Sequence, residues 1–344
     1  MVVLLAKLSA GPGKSSCSVS HTRKKDCGLP EVLLTDIPME CTSLVFHTVL
    51  VDPNTGVVKT SSDEENDTLN ILLESGKDVI IYYGRYQYEW IKMLANEASN
   101  GGKNSLKEME ALKTFLAERP AITAIVLIGL QYPVDATAEF PTYTEDFKKY
   151  LNVFKTTLPD MLIGLDLFGF SLIDQYTYPK FKWLDIKEIN GAIDFYAVTT
   201  ESFNLCGNEF RNTGCAPMNG DMNHTLDKLK DVLQQACIPI EKTYFKFRTT
   251  PTSPDNSLTL CDLNYEKMCT QPQVANDWCS DTQSSYNEKG QYAQKYGVGF
   301  MVIFIDYDDP GNCCNCDKPY PAFHAILDGF NGVSTKTCDL LKRP

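Results

Sequence analysis

The sequence predicts an α/β fold built from eight βα units, and two observations support this prediction. Short runs of apolar, largely β-branched residues alternate along the chain with amphipathic stretches, a pattern typical of repeated βα units. Several of these runs are apolar on consecutive residues, as expected for parallel strands that are buried on both faces. With 344 residues, the chain exceeds the roughly 250 residues of a typical eight-stranded α/β barrel, which leaves room for additional loops.

The strands are predicted from the apolar runs and the helices from apolar residues at helical spacing. The predicted strands are Ser16–Ser20, Thr42–Val51, Asp78–Tyr83, Ile122–Gly129, Leu162–Leu167, Ile193–Thr199, Thr243–Arg248 and Phe300–Ile305. The predicted helices are Ser105–Leu116, Thr144–Thr156, Thr225–Gln235, Thr282–Tyr296 and Ala322–Phe330. The first helix carries Leu106, Met109 and Leu112 on its apolar face, with charged residues between them. Pro251–Pro272 is rich in Pro, Ser, Thr, Asn and Asp, which predicts a long loop between the last two strands.

The chain contains 13 cysteines, a high number for a cytosolic protein, in which thiols stay reduced. The cluster Cys313-Cys314-Asn315-Cys316 has no matching second pair and no paired histidines nearby, so its spacing does not predict a zinc site. The histidines are scattered and there is no Gly-rich phosphate loop, so we expect no metal and no cofactor. The cysteines instead predict disulfide bonds, with at least one thiol free or bonded to another chain because their number is odd.

Other features predict a secreted, extracellular glycoprotein. Asn66 and Asn223 each begin an N-x-Thr sequon for N-glycosylation. Met1–Ala10 resembles the tail of a signal peptide, and no later segment approaches the ~18 uninterrupted apolar residues of a membrane helix. The net charge of −12 argues against nucleic acid or an anionic membrane as a partner.

The segment Ala121–Pro133 resembles the fourth barrel strand of the family 18 chitinases. That strand carries the pattern D-x-x-D-x-D-x-E followed by Tyr-Pro, and this chain has Tyr132-Pro133 at the corresponding place. Tyr296–Asp309 is similar to the eighth strand of the family, G-L-G-G-x-M-V-W-x-x-D-x-D-D. Further segments that resemble the family are 41–50, 78–86, 193–203 and 320–330. The resemblance implies a single (β/α)8 TIM barrel with disulfide-stapled loops.

The resemblance also sets the expected domain boundaries. Residues 1–12 are the signal-peptide-like segment, 16–332 form the barrel, and 333–344 are a C-terminal tail. The α+β module that the family inserts between strands seven and eight is mostly missing, because Leu263–Cys269 matches its first segment only loosely. The eighth strand begins roughly thirty residues after that segment, counted on the strands assigned from the hydrophobic pattern. A shallower groove follows from this alignment.

The four acidic positions of the fourth strand fall on Ala124, Leu127, Gly129 and Gln131. A glycosidase of this family needs a protonated carboxyl at the last position and a neighbouring carboxylate to support the acetamido group of the substrate. The amide of Gln131 cannot release a proton near neutral pH. The resemblance therefore implies a catalytically degenerate member of the family that is not an enzyme.

The residues that line the family's sugar cleft are also changed. The Tyr-Asp pair of the sixth strand becomes Glu201-Ser202, the tryptophan floor becomes Ile303, and a phenylalanine of the second strand becomes Thr48. Sugar binding in such clefts depends on aromatic faces and on polar groups that satisfy the hydroxyls, and both are depleted here. The remaining candidates for ligand binding are Tyr83, Tyr86, Gln131, Tyr132, Glu201, Arg248 and Ile303, with Trp278 as a further loop aromatic.

The family resemblance also implies disulfide pairings. Cys17 and Cys41 match a pair that staples adjacent strands. Cys269 matches a cysteine that bonds the segment after strand eight, so its partner is Cys313, Cys314 or Cys316, of which we select Cys314. The pair Cys206–Cys215 would close a short loop after strand six.

Two groups of residues have more than one interpretation. Leu127 and Ile303 either line an apolar pocket at the barrel mouth or extend the layered barrel core, and we favour the core. Several carboxylates either replace the lost acids or hold a cation, but we favour ordinary surface or supporting roles for all of them. These carboxylates are Asp135, Glu139, Glu201, Asp306, Asp308 and Asp309.

Three classes of function fit these observations. The first in our ranking is a non-catalytic protein that binds a protein partner or has a structural or storage role outside cells. The second is a lectin-like protein that binds chitin or another carbohydrate weakly. The third is a carrier of a small apolar ligand at the barrel mouth.

Overall fold

In the computed structural model the described residues are 12–20, 27–29, 32–52, 55–85, 87–100, 102–130, 142–178, 184–201, 203, 206–207, 210–214, 216–255, 257–334 and 338. The eight predicted strands are all present, each with ends no more than two residues from the prediction. The strands are β1 Ser15–Ser18, β2 Ser43–Val51, β3 Val58–Thr60, β4 Asp78–Gly84, β5 Ile122–Ile128, β6 Leu162–Phe168, β7 Phe195–Thr199, β8 Thr243–Arg248 and β9 Gly299–Ile303. The signal-peptide-like segment lies outside the described residues.

The strands form one sheet in the order β1-β9-β8-β7-β6-β5-β4-β2-β3, and β1 also pairs with β2. This additional pairing closes eight parallel strands into a barrel, so the predicted (β/α)8 fold class is confirmed. The ninth strand, β3, was not predicted. It pairs antiparallel with β2, with Thr60 opposite Val49. A three-residue strand with a lysine at its centre lacks the apolar run from which the other strands were predicted.

The five predicted helices are present, and five others accompany them among the described residues. The helices are α1 Asp63–Leu73, α2 Gln87–Asn100, α3 Lys103–Ala117, α4 Tyr143–Thr157, α5 Gly169–Thr177, α6 Ile186–Ile189, α7 Leu226–Gln235, α8 Tyr265–Thr270, α9 Gln283–Tyr296 and α10 Pro321–Phe330. Helix α9 begins at a capping box, in which the side chains of Thr282 and Ser285 each accept a hydrogen bond from the other residue's backbone N–H.

The segment between β8 and β9 differs in part from the predicted loop. Tyr265–Thr270 is helical, and the side chain of Asn264 caps this helix by accepting a hydrogen bond from the backbone N–H of Lys267 at 2.8 Å. The described residues between β8 and β9 form α8, α9 and a short 3-10 turn at Pro272–Ala275. They contain no strand beyond isolated bridges, in agreement with a mostly missing α+β insertion.

The buried face of α3 differs in part from the face that the apolar pattern predicted. Leu106 is 49% exposed, whereas Glu108 is only 3% exposed and lies on the buried face with Met109 and Leu112. The apolar spacing identified the helix correctly but assigned a charged residue of its core to the surface. Glu108 has buried polar partners from other elements, and the sequence of the helix alone does not indicate them.

The chain divides into two compact units. One contains residues 1–13, 43–197 and 233–242, and the other contains 14–42, 198–232 and 243–344. The first unit includes β2 to β6, and its core contains the large aromatic residues Tyr82, Trp90, Phe147 and Phe154. The second includes β1, β8 and β9, with Phe245, Phe247 and Phe300 in its core.

The disulfides between described residues all lie in the second unit. They are Cys17–Cys41, Cys27–Cys261, Cys206–Cys279, Cys269–Cys314 and Cys316–Cys338. The pairings of Cys17 with Cys41 and of Cys269 with Cys314 agree with those implied by the family resemblance. Cys237 is exposed and forms no disulfide with another described residue.

The predicted pairing of Cys206 with Cys215 is wrong, because Cys206 bonds to Cys279. The backbone of Cys279 pairs with that of Thr252 in an isolated antiparallel bridge. The Cα atoms of Cys206 and Cys279 are 5.6 Å apart, within the usual distance for a disulfide. A contact between loops that are distant in sequence therefore determines the pairing. Cys215 lies outside the described residues.

We expect non-reducing peptide mapping to recover a peptide that links Cys206 to Cys279. The bond closes a loop with a sequence separation of 73, so it should stabilise the folded protein by about 4 kcal/mol in the chain-entropy model. The Cys17–Cys41 peptide is the internal control for the digest. Recovery of Cys206 bonded to Cys215 would contradict the arrangement described here.

Candidate functional site

Strand β5 corresponds to the fourth barrel strand of the family. The first two acidic positions of the family motif, Ala124 and Leu127, lie in this strand in an apolar environment. Ala124 pairs with Ile80 of β4, and Leu127 pairs with Tyr83 of β4 and Leu165 of β6. Both Ala124 and Leu127 are 0% exposed. A carboxylate at either position would lose its hydration without an evident partner, and burial of that kind is strongly unfavourable. These two positions belong to the core of the first unit.

Gly129 follows β5 in a conformation that excludes a side chain. Its φ angle is +75°, in the left-handed region that favours glycine, and a Cβ atom at this position would lie 2.1 Å from the backbone oxygen of Arg85. A carboxylate at the third motif position would therefore require the backbone to move. The local backbone, as well as the sequence, opposes an acid here.

A buried polar network lies beside β5. The carboxylate of Glu108 accepts hydrogen bonds from the hydroxyls of Tyr83 and Tyr150, each at 2.8 Å, and it forms an ion pair with Arg85. Arg85 is 4% exposed and its guanidinium lies 4.9 Å from the centre of the Trp90 ring. The network is a structural unit that ties β4 to α3 and α4, and the sequence analysis did not find it.

The electrostatics of this network follow from burial and from the charge of Glu108. Burial first, and then the nearby carboxylate of Glu108, hold the pKa of Tyr83 and of Tyr150 well above the ordinary value. Burial lowers the pKa of Arg85, but the Glu108 carboxylate raises it, and the net change is an increase. Tyr83, predicted as a ligand-binding aromatic, is 0% exposed and has its hydroxyl engaged by Glu108. Its ring therefore offers no surface for stacking on a sugar.

In the second unit, the candidates Glu201 and Arg248 line the same small cavity. The other lining residues include Thr200, Ser280 and Asp281, and the cavity volume is about 20 Å³. A cavity of this size holds about one water molecule, whereas small-molecule sites usually have volumes of about 300–1,000 Å³. The Nε–H of Arg248 donates to the hydroxyl of Thr250 at 2.6 Å. The structure thus brings these two predicted residues together, but around a space too small for a pyranose ring.

Ile303 occupies the position of the family's tryptophan floor at the end of β9. It pairs with Arg248 of β8 and is 4% exposed. Its burial, like that of Leu127, supports the interpretation that these residues extend the layered barrel core.

A buried ion pair forms the wall of the small cavity. Lys289 of α9 pairs with Asp281, which also accepts a hydrogen bond from the hydroxyl of Ser285 at 2.8 Å. Lys289 donates a further hydrogen bond to the backbone oxygen of Thr213 at 3.1 Å. Burial raises the pKa of Asp281, and the Lys289 ammonium opposes this change. The sequence analysis missed this pair because the amphipathic pattern of the helix predicts that Lys289 lies on the surface.

The acids after β9 hold loops together and are buried, not on the surface. Asp308 accepts hydrogen bonds from the backbone N–H groups of Ala322 and Phe323, at 3.0 and 2.7 Å, at the start of α10. Its burial raises its pKa well above the ordinary value.

The other two acids of this turn have similar roles. Asp309 accepts from the N–H groups of Cys313 and Cys314, and Asp306 accepts from Ser20. No group of acids, cysteines and histidines among the described residues could hold a metal ion. The carboxylates of this turn are engaged by hydrogen bonds from backbone N–H groups.

Five of the candidate ligand-binding residues and substitute acids lie outside the described residues. They are Tyr86, Gln131, Tyr132, Asp135 and Glu139. Thr48, at the position of the cleft phenylalanine, is half-buried in β2.

Comparison with known proteins gives a likeness of fold without a likeness of sequence. The chain matches no family model and no curated protein sequence. Catalytic domain 2 of the Group II chitinase of Ostrinia furnacalis superposes with a TM-score of 0.72 at 16% identity, covering 96% of this chain and 100% of that one. An immunomodulatory active chitinase from Trichuris suis gives a TM-score of 0.70 at 12% identity, covering 92% and 99%.

A third similar structure is human YKL-39, described as a pseudo-chitinase with retained chitooligosaccharide-binding properties. Its TM-score is 0.68 at 13% identity, with 92% of this chain and 99% of that one covered. The structural neighbours are thus family 18 chitinases and chitinase-like proteins, both active and inactive. They establish for this chain the fold that the sequence resemblance implied.

Proposed function

We propose that this protein is a secreted, non-hydrolytic binding protein built on the barrel of the family 18 chitinases. The main support for the proposal comes from the motif positions in β5 and directly after it, none of which carries an acid. Ala124 and Leu127 are fully buried in apolar surroundings, and Gly129 has no space for a Cβ atom. The fourth motif position is Gln131 in the sequence, which cannot act as a general acid. Hydrolysis by the family's mechanism has no proton donor here.

We rank binding to a protein partner, or a structural or storage role, first. The small volume of the cavity beside Glu201 and Arg248, and the burial of Tyr83, support this ranking over sugar recognition. The disulfides support an extracellular location, since such bonds persist in oxidising compartments. Asn223 is exposed before α7, where a glycan can be accommodated. None of the helices in the described ranges is long and apolar enough to cross a membrane.

Carbohydrate binding is the second candidate, and one comparison favours it. The pseudo-chitinase YKL-39 shares the fold and is described as retaining chitooligosaccharide binding. Here, Tyr86 and Tyr132 are the aromatic residues that would stack on sugar rings.

Calorimetric titration with chitin oligomers separates the two candidates. We expect no binding tighter than about millimolar, or ~4 kcal/mol, because the tryptophan floor is replaced by Ile303 and the cleft phenylalanine by Thr48. A micromolar affinity that is abolished in Tyr86→Ala or Tyr132→Ala, but kept in the exposed control Tyr178→Ala, would favour the lectin-like function instead.

The carrier function has the least support. Leu127 and Ile303 were the residues that suggested an apolar pocket, and both are packed in the barrel core with at most 4% exposure. Mass spectrometry of the protein purified from its source would identify any carried ligand.

A further inference from the structure

The first unit contains a cavity of about 620 Å³ that no part of the proposed function uses. Its volume lies in the range of about 300–1,000 Å³ typical of small-molecule sites. Residues 51–52 and 55–56, the residue after β4, helix α2 and the first turns of α3 form its wall. The charged lining residues are Asp52, Arg85, Glu89, Lys92, Lys107 and Glu108.

The acidic side chains of the cavity have structural roles. Glu108 accepts two tyrosine hydroxyls and pairs with Arg85, so its carboxylate is fully engaged. Asp52 accepts the backbone N–H of Thr55 at 2.9 Å and so shapes the turn after β2. Glu89 lies in the first turn of α2, where the helix dipole favours a negative charge. Glu108 and Asp52 are therefore already engaged within the fold.

The basic side chains, in contrast, retain unused donors. Lys92 and Lys107 are exposed, and neither forms a hydrogen bond or an ion pair with a described residue. Arg85 is 4% exposed, and its Nε–H has no hydrogen-bond partner among the described residues. The guanidinium therefore places a buried positive charge at the wall of the cavity.

The backbone adds to this surplus of donors. Helix α3 is 15 residues long and begins at Lys103, directly after Gly102, which has a φ angle of +82° and provides no side-chain cap. Asn104, Lys107 and Glu108, in the first two turns of this helix, line the cavity. The N-terminus of a helix carries a partial positive charge and free N–H groups, which suit a phosphate or sulfate oxygen.

We propose that this cavity binds a small molecule through a tetrahedral oxyanion, with Lys92, Lys107 and the N-terminus of α3 as its donors. Arg85 is a positioning residue that supplies positive charge beneath the site while it pairs with Glu108. The volume exceeds that of the oxyanion alone and leaves room for an organic body the size of a monosaccharide. The ligand is thus either a free inorganic anion or a phosphate or sulfate monoester.

The test is calorimetric titration of the intact, oxidised protein with inorganic phosphate, glucose 6-phosphate and glucose. We expect saturable binding of phosphate or of glucose 6-phosphate below about 10 mM, and no binding of glucose. Equal affinities for the two phosphates identify a free anion as the ligand, whereas tighter binding of glucose 6-phosphate identifies a monoester. Absence of saturable binding by both phosphates, or equal binding of glucose, would overturn the proposal.

Substitutions on the helices locate the site. Lys107→Ala and Lys92→Ala should each weaken phosphate binding about tenfold, because each removes a charge-assisted hydrogen bond. Lys107→Arg should keep most of the affinity. Lys113→Ala removes an equally exposed charge from α3 outside the cavity, so it should change the affinity by less than about twofold. An equal loss in Lys113→Ala and Lys107→Ala would assign the binding to general surface charge and overturn the proposal.

Discussion

Replacement of Glu108 by alanine should lower the free energy of unfolding by about 3–5 kcal/mol. The carboxylate of Glu108 is the common partner of Arg85, Tyr83 and Tyr150, and all of these side chains are buried. Its removal leaves a guanidinium without its counter-ion and two hydroxyls without an acceptor. The change is measured by urea denaturation of the oxidised protein, followed by circular dichroism.

The control is Glu110→Ala, on the same helix. Glu110 is exposed, so its removal should change the stability by less than about 0.5 kcal/mol. Glu108→Gln should lie between the two, because the amide oxygen still accepts a hydrogen bond but carries no charge. Equal stabilities of Glu108→Ala and Glu110→Ala would show that the buried network does not stabilise the first unit.

Gly129→Asp, which returns an acid to the third motif position, should destabilise the protein by more than about 4 kcal/mol. Two causes add up at this position. A side chain at a φ angle of +75° costs about 1–2 kcal/mol, and the Cβ atom would also lie 2.1 Å from the backbone oxygen of Arg85. The second cause forces either β5 or the residue after β4 to move.

Gly76→Asp separates these two causes. Gly76 has a φ angle of +73°, and a Cβ atom there would have no neighbour within 4 Å. It should therefore show only the conformational cost of about 1–2 kcal/mol. If thermal unfolding gives the same loss for both variants, the close approach of Arg85 is relieved at little cost, and the backbone does not exclude an acid from this position.

Eight of the strands and five of the helices were predictable because their signals are local. A strand buried on both faces, such as β5, needs consecutive apolar residues, and these are visible in any short window of the sequence. The sequence analysis nevertheless missed helices α1 and α2, which have 11 and 14 residues. Strand β3 has only three residues, and its position depends on pairing with β2.

Only part of the chemistry of the candidate site could be predicted from the sequence. The loss of the acids at Ala124, Leu127 and Gly129 is evident from the family resemblance alone. The resemblance does not explain why Gly129 cannot carry a side chain. The obstacle is the backbone oxygen of Arg85, which is far away in sequence. Likewise, the amphipathic patterns of their helices predict that Glu108 and Lys289 are surface charges. Only the folded structure shows that each has a buried partner.

The measurement that tests the central claim most directly is hydrolysis of chitin oligomers and their chromogenic analogues by the rigorously purified protein. We expect turnover no faster than in buffer, and we expect Gln131→Glu alone to stay inactive. The supporting acids would still be missing at Leu127 and Gly129, and Ile303 would still replace the aromatic floor. Turnover that persists in the purified protein and disappears in Asp135→Asn or Glu139→Gln would contradict the account.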